Sequence, residues 1–393
     1  MSKTLITNAR VVLPDDILTT GVLIENGKIT ELGYTGKADE IIDAQGGYLF
    51  AGFVDAHVHG GGGADFMDCT VEAFDTAVKT HLQHGTTTLL PTAMSATRED
   101  LILFLKTFKE FKKSGVYAAV TPGVHMEGPY FSGANPKSSG AQPSTLLRLP
   151  DKDEIECLLT IADGDILRWD AAPELEGSDM FAHMMTESGI LCSIAHSAAT
   201  SEQAQTGIDN GFSHVTHFYN AVTTYRKEGQ RVLAGVVEAA YLNPHVMVEL
   251  ICDGRHIPRD ILRLALKIKG RGLVMAITDA MRIAGTDWTT GKLGSLKNGT
   301  DVIVDDKVAK LPDMTSFAGS IATMDRCLRV LCQDYGIPVS DASVMLSRTP
   351  ATFLGIEETK GSIAVGKDAD LVITDSNFQI KRVLLGGSTV HSV

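Results

Sequence analysis

The stretch Gly52-Phe53-Val54-Asp55-Ala56-His57-Val58-His59, followed by four glycines at 60–63, carries the first clue to the architecture. Apolar Leu49, Phe50, Phe53 and Val54 lead into two histidines at i and i+2, and the glycine run that follows cannot extend a strand. On a β-strand, residues i and i+2 face the same side. Two imidazoles side by side at a strand end suit a divalent metal, because neutral histidine nitrogen is a favoured ligand. Taken alone, the pair reads equally well as two satisfied polar histidines in a turn; the segments downstream tip the balance.

Working outward, strand and helix patterns alternate. After the His57 strand come strand patterns at Thr86 to Pro91, Ala118 to Val124, Leu167 to Ala172, Ile190 to Ala195, His214 to His217, Val246 to Ile251 and Leu273 to Thr278. Helical patterns separate them at 70–84, 97–113 (with Thr97 as its capped start), 152–163, 178–188, 200–210, 231–242 and 258–269. Eight βα units predict a closed parallel barrel, a (β/α)8 TIM-type barrel of the α/β class. Glycine-rich 284–316, with a hairpin expected around Asp305-Asp306, reads as a flap over the barrel mouth, and helices at 320–335 and 341–348 follow it.

The two ends read differently. Thr4 to Ile6, Arg10 to Leu13, Gly21 to Ile24 and Ile29 to Leu32 are short strand patterns, the last two joined by an Asn26-Gly27 turn. Leu371 to Ile373 and Gln379 to Leu385 match them at the other end. The expected domains are a small β-sandwich from 1–53 with 352–393, and a catalytic barrel over 54–351.

Composition narrows the function. The 393 residues are 44% hydrophobic and 21% charged, with a net charge of −13 spread through the chain. That balance argues against nucleic acid or an anionic membrane as partner. No apolar run approaches the ~20 residues of a membrane span, and Met-Ser-Lys-Thr leads directly into a strand pattern without a signal core. Six scattered cysteines without a CxxC pair fit reduced thiols in the cytoplasm.

In barrels of this kind the chemistry sits at the C-terminal ends of strands. Six of the predicted ends carry polar groups: His57 and His59; His125-Met126-Glu127-Gly128-Pro129; His196; His217 to Ala221; Asp253 to His256; and Asp279. Each alone has a bland explanation, and Asp279 alone could cap a helix. Their coincidence at six ends of one inferred barrel points to a metal-assisted site.

These residues carry a resemblance. GFVDAHVHG, HMEGP, AHS, THFYNA, DGRH, TDA and the closing GSIAVGKDADLVI resemble the amidohydrolase superfamily, and within it the N-acetylglucosamine-6-phosphate deacetylase family, over essentially the whole chain. The resemblance implies that Glu127, His196 and His217 hold one divalent metal, with His57 and His59 available for a second and Glu127 bridging. Zinc is the first choice, with Fe, Mn, Co or Ni also suited. It implies Asp279 as general base and later acid. It places Asn220, Ala221 and Asp253 to His256 at the sugar phosphate, with Ala141, Gln142, Phe317, Ala318 and Gly319 as further substrate contacts. A small sugar-phosphate substrate and a homodimer follow from the same likeness.

The chain departs from the family twice. Where the family has Arg-Glu-Pro-Gly after the THxYNA block, often reaching a neighbouring subunit's phosphate, this chain has Tyr225 to Arg231, so that Arg226, Lys227 and Arg231 are the phosphate candidates. Gln142 stands where the family commonly has histidine. The galactosamine epimer, or a cyclic amide or aminated base, are the alternative substrates, and a barrel that has lost its chemistry is the non-enzymatic alternative. His81, His84, His183, His214 and His245 read as surface or helix-packing histidines, Asp65 and Asp68 as turn residues, and Trp169 and Trp288 as packing residues.

Overall fold

A computed structural model describes residues 3–134 and 136–393, so that Met1 and Ser2 of the expected leaderless start lie outside the described residues. The chain divides into two compact units: one holds the residues through Ala56 with Lys79–Leu89 and Thr323–Val393, the other His57–Val78 with Leu90–Ala322.

The first unit contains an eight-stranded sheet built from both chain ends. Asn26 and Gly27 adopt positive φ angles of 54° and 76° and join strands Ile17–Glu25 and Lys28–Leu32, as an Asn-Gly hairpin demands. The two strands expected before it are one, Lys3–Val12: a bulge between Ile6 and Ala9 breaks the polar/apolar alternation without ending the pairing. That long strand pairs in parallel with Glu40–Asp43 through its first half and with Tyr48–Ala51 through its second. Tyr48–Ala51 in turn pairs antiparallel with Leu371–Thr374, which brings the two ends of the chain together. A final strand, Ser388–Ser392, has no apolar alternation and was absent from the sequence expectation. One apolar core serves the sheet, including Ile6, Val22, Ile29, Leu49, Leu371 and Leu384.

The barrel is the predicted one. Its strands run Phe53–Val58, Thr86–Ala93, Val124–Glu127, Ile166–Ala171, Leu191–Ile194, Phe212–Val215, Met247–Ile251 and Val274–Ile277, neighbouring in that order. A parallel bridge from Val58 to Ala280, with Asp279 N–H donating to His57 O at 3.0 Å, links last strand to first. Residue after residue in these strands is buried, as expected of a parallel sheet covered on both faces. Thr97 caps the helix Arg98–Ser114 by accepting from Asp100 N, and Phe104, Phe108 and Phe111 form its buried stripe.

Three local readings are corrected. The third strand begins at Val124, because Ala118–Val120 closes a 3-10 turn; His125, Met126 and Glu127 therefore lie inside the strand. The helix expected at 231–242 starts at Val236, and Arg226–Glu228 and Arg231–Leu233 pair as a hairpin, whose turn is made by Gly229 at a positive φ of 61° and Gln230. His214 is neither a surface nor a helix-packing residue: it is fully buried in the sixth strand, with Nδ1 3.1 Å from Ser193 Oγ.

The flap is a three-stranded antiparallel sheet, Thr290–Leu293, Thr300–Asp305 and Val308–Lys310, with the expected turn at Asp306 and Lys307. Arg282 ties its base to the glycine loop after the first barrel strand. Its guanidinium makes two 2.8 Å bonds to Asp68 and others to Gly63 O and Gly294 O, while Asp65 caps the same loop by accepting from Met67 N. Asp68 is thus an ion-pair partner as well as a turn residue. The Arg282 side chain is 2% exposed, so Arg282→Met is expected to lower unfolding free energy by about 3–5 kcal/mol by stranding Asp68. A urea midpoint equal to that of the wild type would show the pair to be idle.

Candidate metal centre

Four imidazoles and two carboxylates converge at the C-terminal mouth of the barrel. His57 and His59 come from the end of the first strand, Glu127 from the third, His196 and His217 from just past the fifth and sixth, and Asp279 from just past the eighth. His196, His217 and Asp279 have positive φ angles of 44°, 30° and 48°. Non-glycine residues rarely adopt that region, at about 1–3 kcal/mol each, and here it turns each side chain inward where its strand stops. Gly319 is required nearby: at φ 65° its Cα passes so close that an added Cβ would meet Asp279 O at 3.0 Å.

Two donor groups result: Glu127, His196 and His217, and His57, His59 and Asp279, with ligand atoms inside each group within 4.8 Å of one another. Glu127 belongs to both neighbourhoods. Its Oε1 lies 3.0 Å from His196 Nε2 and 3.2 Å from His217 Nε2, and its Oε2 lies 3.3 Å from His59 Nε2. Asp279 Oδ1 is 3.3 Å from His59 Nε2 and 3.6 Å from His57 Nε2.

The donor chemistry fits a cation. His196 Nδ1 faces Ser138 O at 3.0 Å and His217 Nδ1 faces Asn220 O at 3.0 Å. A carbonyl can only accept, so each Nδ1 carries a proton and each ring turns its Nε2 inward as the atom that can take a metal or a second proton. Those two Nε2 atoms are 3.1 Å apart and both face a carboxylate oxygen. His57 repeats the pattern, with Nδ1 3.2 Å from Glu249 Oε1 and Nε2 3.2 Å from His59 Nε2. Acceptors so arranged are repulsive unless a proton or a metal sits among them. The acid–base balance agrees: burial pushes His217 down, but Glu127 and other carboxylates outweigh it and raise its pKa to about 9. Burial likewise pushes Glu127 up, yet the facing imidazoles hold it well below the usual carboxylate range. Burial acts on Asp279 in the same sense, and His57 and His59 overcome it, keeping the carboxyl below its ordinary value.

A single cleft collects His59, Glu127, His196, His217 and Asp279 with Ala141, Gln142, Asn220, Ala221, His256, Phe317 and Gly319. His57 lies behind His59, fully buried. Asp253 does not line the cleft; it accepts from His256 N and binds His256 Nδ1 at 2.9 Å, fixing that ring beside Phe317. Ala318 is buried in the apolar core of the flap. Gln142 uses its amide inward: Nε2 donates to Glu127 Oε2 at 2.8 Å and Oε1 accepts from Ser95 N at 3.0 Å.

Arg226 and Lys227 are not brought to the cleft. They stand on the short hairpin, Arg226 pairing with Glu228 at 3.1 Å and Lys227 exposed, because residues 226–233 pair with each other instead of continuing toward the barrel mouth. Among the described residues, the lysine or arginine that lines the cleft is Lys137, on the turn Pro136–Ser139. Sequence reading missed it, since a lysine in a polar loop carries no periodic signal. It also missed the buried charges Arg168, Asp170 and Glu249 beneath the histidines. Their signal was present: a charge alone within an apolar strand must have a partner. Trp169 is a packing residue, as expected, whereas Trp288 is half exposed and lies against Gly63.

Residues 48–390 match the model of the amidohydrolase family. The chain is 32% identical to N-acetylglucosamine-6-phosphate deacetylase of Bacillus subtilis (strain 168), across 98% of this chain and 96% of that protein. The crystal structure of the deacetylase from Pasteurella multocida superposes with a TM-score of 0.90 at 28% identity, covering 100% of both chains. A mutant of the deacetylase from Mycobacterium smegmatis, solved in complex with N-acetyl-D-glucosamine-6-phosphate, superposes with a TM-score of 0.89 at 29% identity, again over 100% of both chains.

Proposed function

The chain belongs to the amidohydrolase family, and from that premise we propose that it is a metal-dependent deacetylase that hydrolyses N-acetylglucosamine-6-phosphate to glucosamine-6-phosphate and acetate. The observation that carries this reading is the double donor group around Glu127, opening into the same cleft as Asp279. It is supported by full-length likeness to deacetylases of that substrate.

An acetamide is a poor electrophile. When bound, a divalent ion supplies Lewis acidity, polarising the acyl oxygen and acidifying water. Glu127, His196 and His217 are our assignment for the first ion, with His57, His59 and Asp279 able to take a second; zinc is our choice because all but the carboxylates are imidazoles. Asp279 accepts the proton of the attacking water on its carboxylate. It then returns that proton to the amide nitrogen as the C–N bond breaks, so acetate and a free amine leave. Asn220, Ala221 and His256 hold the sugar phosphate, with Ala141, Phe317 and Gly319 shaping the wall. The barrel over 54–351 carries these roles, and the two chain ends form the accessory β-domain.

Lys137 is the cation we assign to the phosphate. A hydrogen bond to a charged group contributes about 1.5–3 kcal/mol, so Lys137→Ala is expected to raise KM for the phosphorylated sugar roughly 10–100-fold. Binding of unphosphorylated N-acetylglucosamine, measured calorimetrically because that sugar is not expected to turn over, should keep its wild-type affinity; an equal weakening for both sugars would remove Lys137 from the phosphate site. Arg226 and Lys227 then reach a phosphate only from a second copy, which is the role we give a homodimer. No helix among the described residues is long and apolar enough to cross a membrane, and we place the enzyme in the cytoplasm.

The test is acetate release from N-acetylglucosamine-6-phosphate beside its galactosamine epimer and unphosphorylated N-acetylglucosamine, with metal content measured on the same sample. Turnover confined to the first compound supports the proposal. Turnover of the epimer alone would reassign the substrate, and none with any of them despite bound metal would overturn it.

A further inference from the structure

Beneath the metal centre lies a buried charge network. Arg168, on the fourth strand, and Glu249, on the seventh, are both fully buried. Arg168 grips Glu249 with two bonds of 2.8 Å, one to each oxygen. The same guanidinium reaches Asp170 Oδ1 at 3.0 Å and Thr216 Oγ1 at 2.6 Å. A lone buried carboxylate is costly, and a bidentate guanidinium is the partner that best offsets it.

Glu249 also touches both donor groups above it. Its Oε1 lies 3.2 Å from His57 Nδ1 and accepts from His217 N at 3.0 Å. One oxygen therefore meets the ring of one candidate ligand and the backbone of another. A carboxylate at Nδ1 keeps the proton there, so His57 Nε2 presents its lone pair to the site; such contacts orient metal-bound histidine elsewhere. The bond to His217 N holds the residue whose φ of 30° aims its ring inward. Asp170 serves as an internal comparison: it shares Arg168 but binds Thr216 and His125 rather than either ligand.

We propose that Glu249, held in place by Arg168, is a positioning residue for the metal centre, setting the ring of His57 and the loop of His217 at once. The proposal rests on the metal-dependent reading above. Its test measures zinc affinity by competition with a chromogenic chelator, together with the melting midpoint, for the wild type, Glu249→Gln, Glu249→Gln with Arg168→Met, and Asp170→Asn. In Glu249→Gln the guanidinium keeps Asp170 as its charge partner; the double variant, in which Asp170 keeps its contacts to Thr216 and His125, carries the test if the single variant does not fold. Glu249→Gln and the double variant are expected to bind zinc roughly 10–100-fold more weakly. Asp170→Asn is expected to lower the midpoint with zinc affinity unchanged. Wild-type affinity in both Glu249 variants, or an equal loss in Asp170→Asn, would overturn the proposal. Absence of zinc binding by the wild type would instead bring down the metal-dependent reading itself.

Discussion

Asp279→Asn is expected to lower kcat by about 10²–10⁴-fold, the range a general acid–base group supplies, with substrate affinity nearly unchanged. Asparagine keeps the size and planarity of the side chain, and the backbone bond from residue 279 N to His57 O, at 3.0 Å in the structure, does not involve that side chain. What disappears is the capacity to take a proton. Although the aspartate is buried, His57 and His59 hold its carboxyl below the ordinary pKa, so it stands ready as a base at neutral pH. Because Asp279 also belongs to the second donor group, bound metal must be counted on the same sample. Lost turnover with retained metal and retained substrate binding assigns the proton transfer to Asp279. Turnover near the wild-type rate would remove it from the mechanism.

Glu127→Gln should be comparably severe for a different reason. Glu127 is the carboxylate common to both donor groups, within 3.3 Å of Nε2 of His196, His217 and His59. An amide there removes the negative charge that balances a cation, and its oxygen and NH2 cannot both serve positions that now accept. If the metal supplies several kcal/mol of transition-state stabilisation, its loss lowers turnover by about 10³-fold or more. Stripping the wild type with a chelator should reproduce the defect, and added divalent ion should restore the wild type but not the variant at the same concentration. Full activity in a chelated sample free of metal would refute metal dependence.

Much of the fold was readable because barrel strands and helices are set by local periodicity. The β-branched and apolar stretches at Thr86 to Pro91 and Val246 to Ile251 read as strands, and Thr97 announced its helix. Readings failed where local and long-range forces disagreed. The alternation of Lys3–Val12 breaks at a bulge while its pairing persists. Residues 231–233 look helical next to Val236–Leu242, yet pair with Arg226–Glu228 across a tight turn. His214 carries no mark separating it from a surface histidine until the sixth strand closes around it.

The same division holds for the site. The i, i+2 spacing of His57 and His59 and the polar residue at each strand end are properties of the chain alone, because a strand alternates its side chains wherever it is placed. Which of those residues meet is a matter of barrel closure. Glu127 and His217 are 90 residues apart along the chain and 3.2 Å apart in space. Arg168 and Glu249 are separated by 81 residues and joined at 2.8 Å. Likewise the exposed hairpin withholds Arg226 and Lys227 from the cleft, and a four-residue turn delivers Lys137 to it. Local preference acts over a few residues, whereas these encounters depend on the order and tilt of strands that the chain acquires only when the sheet closes.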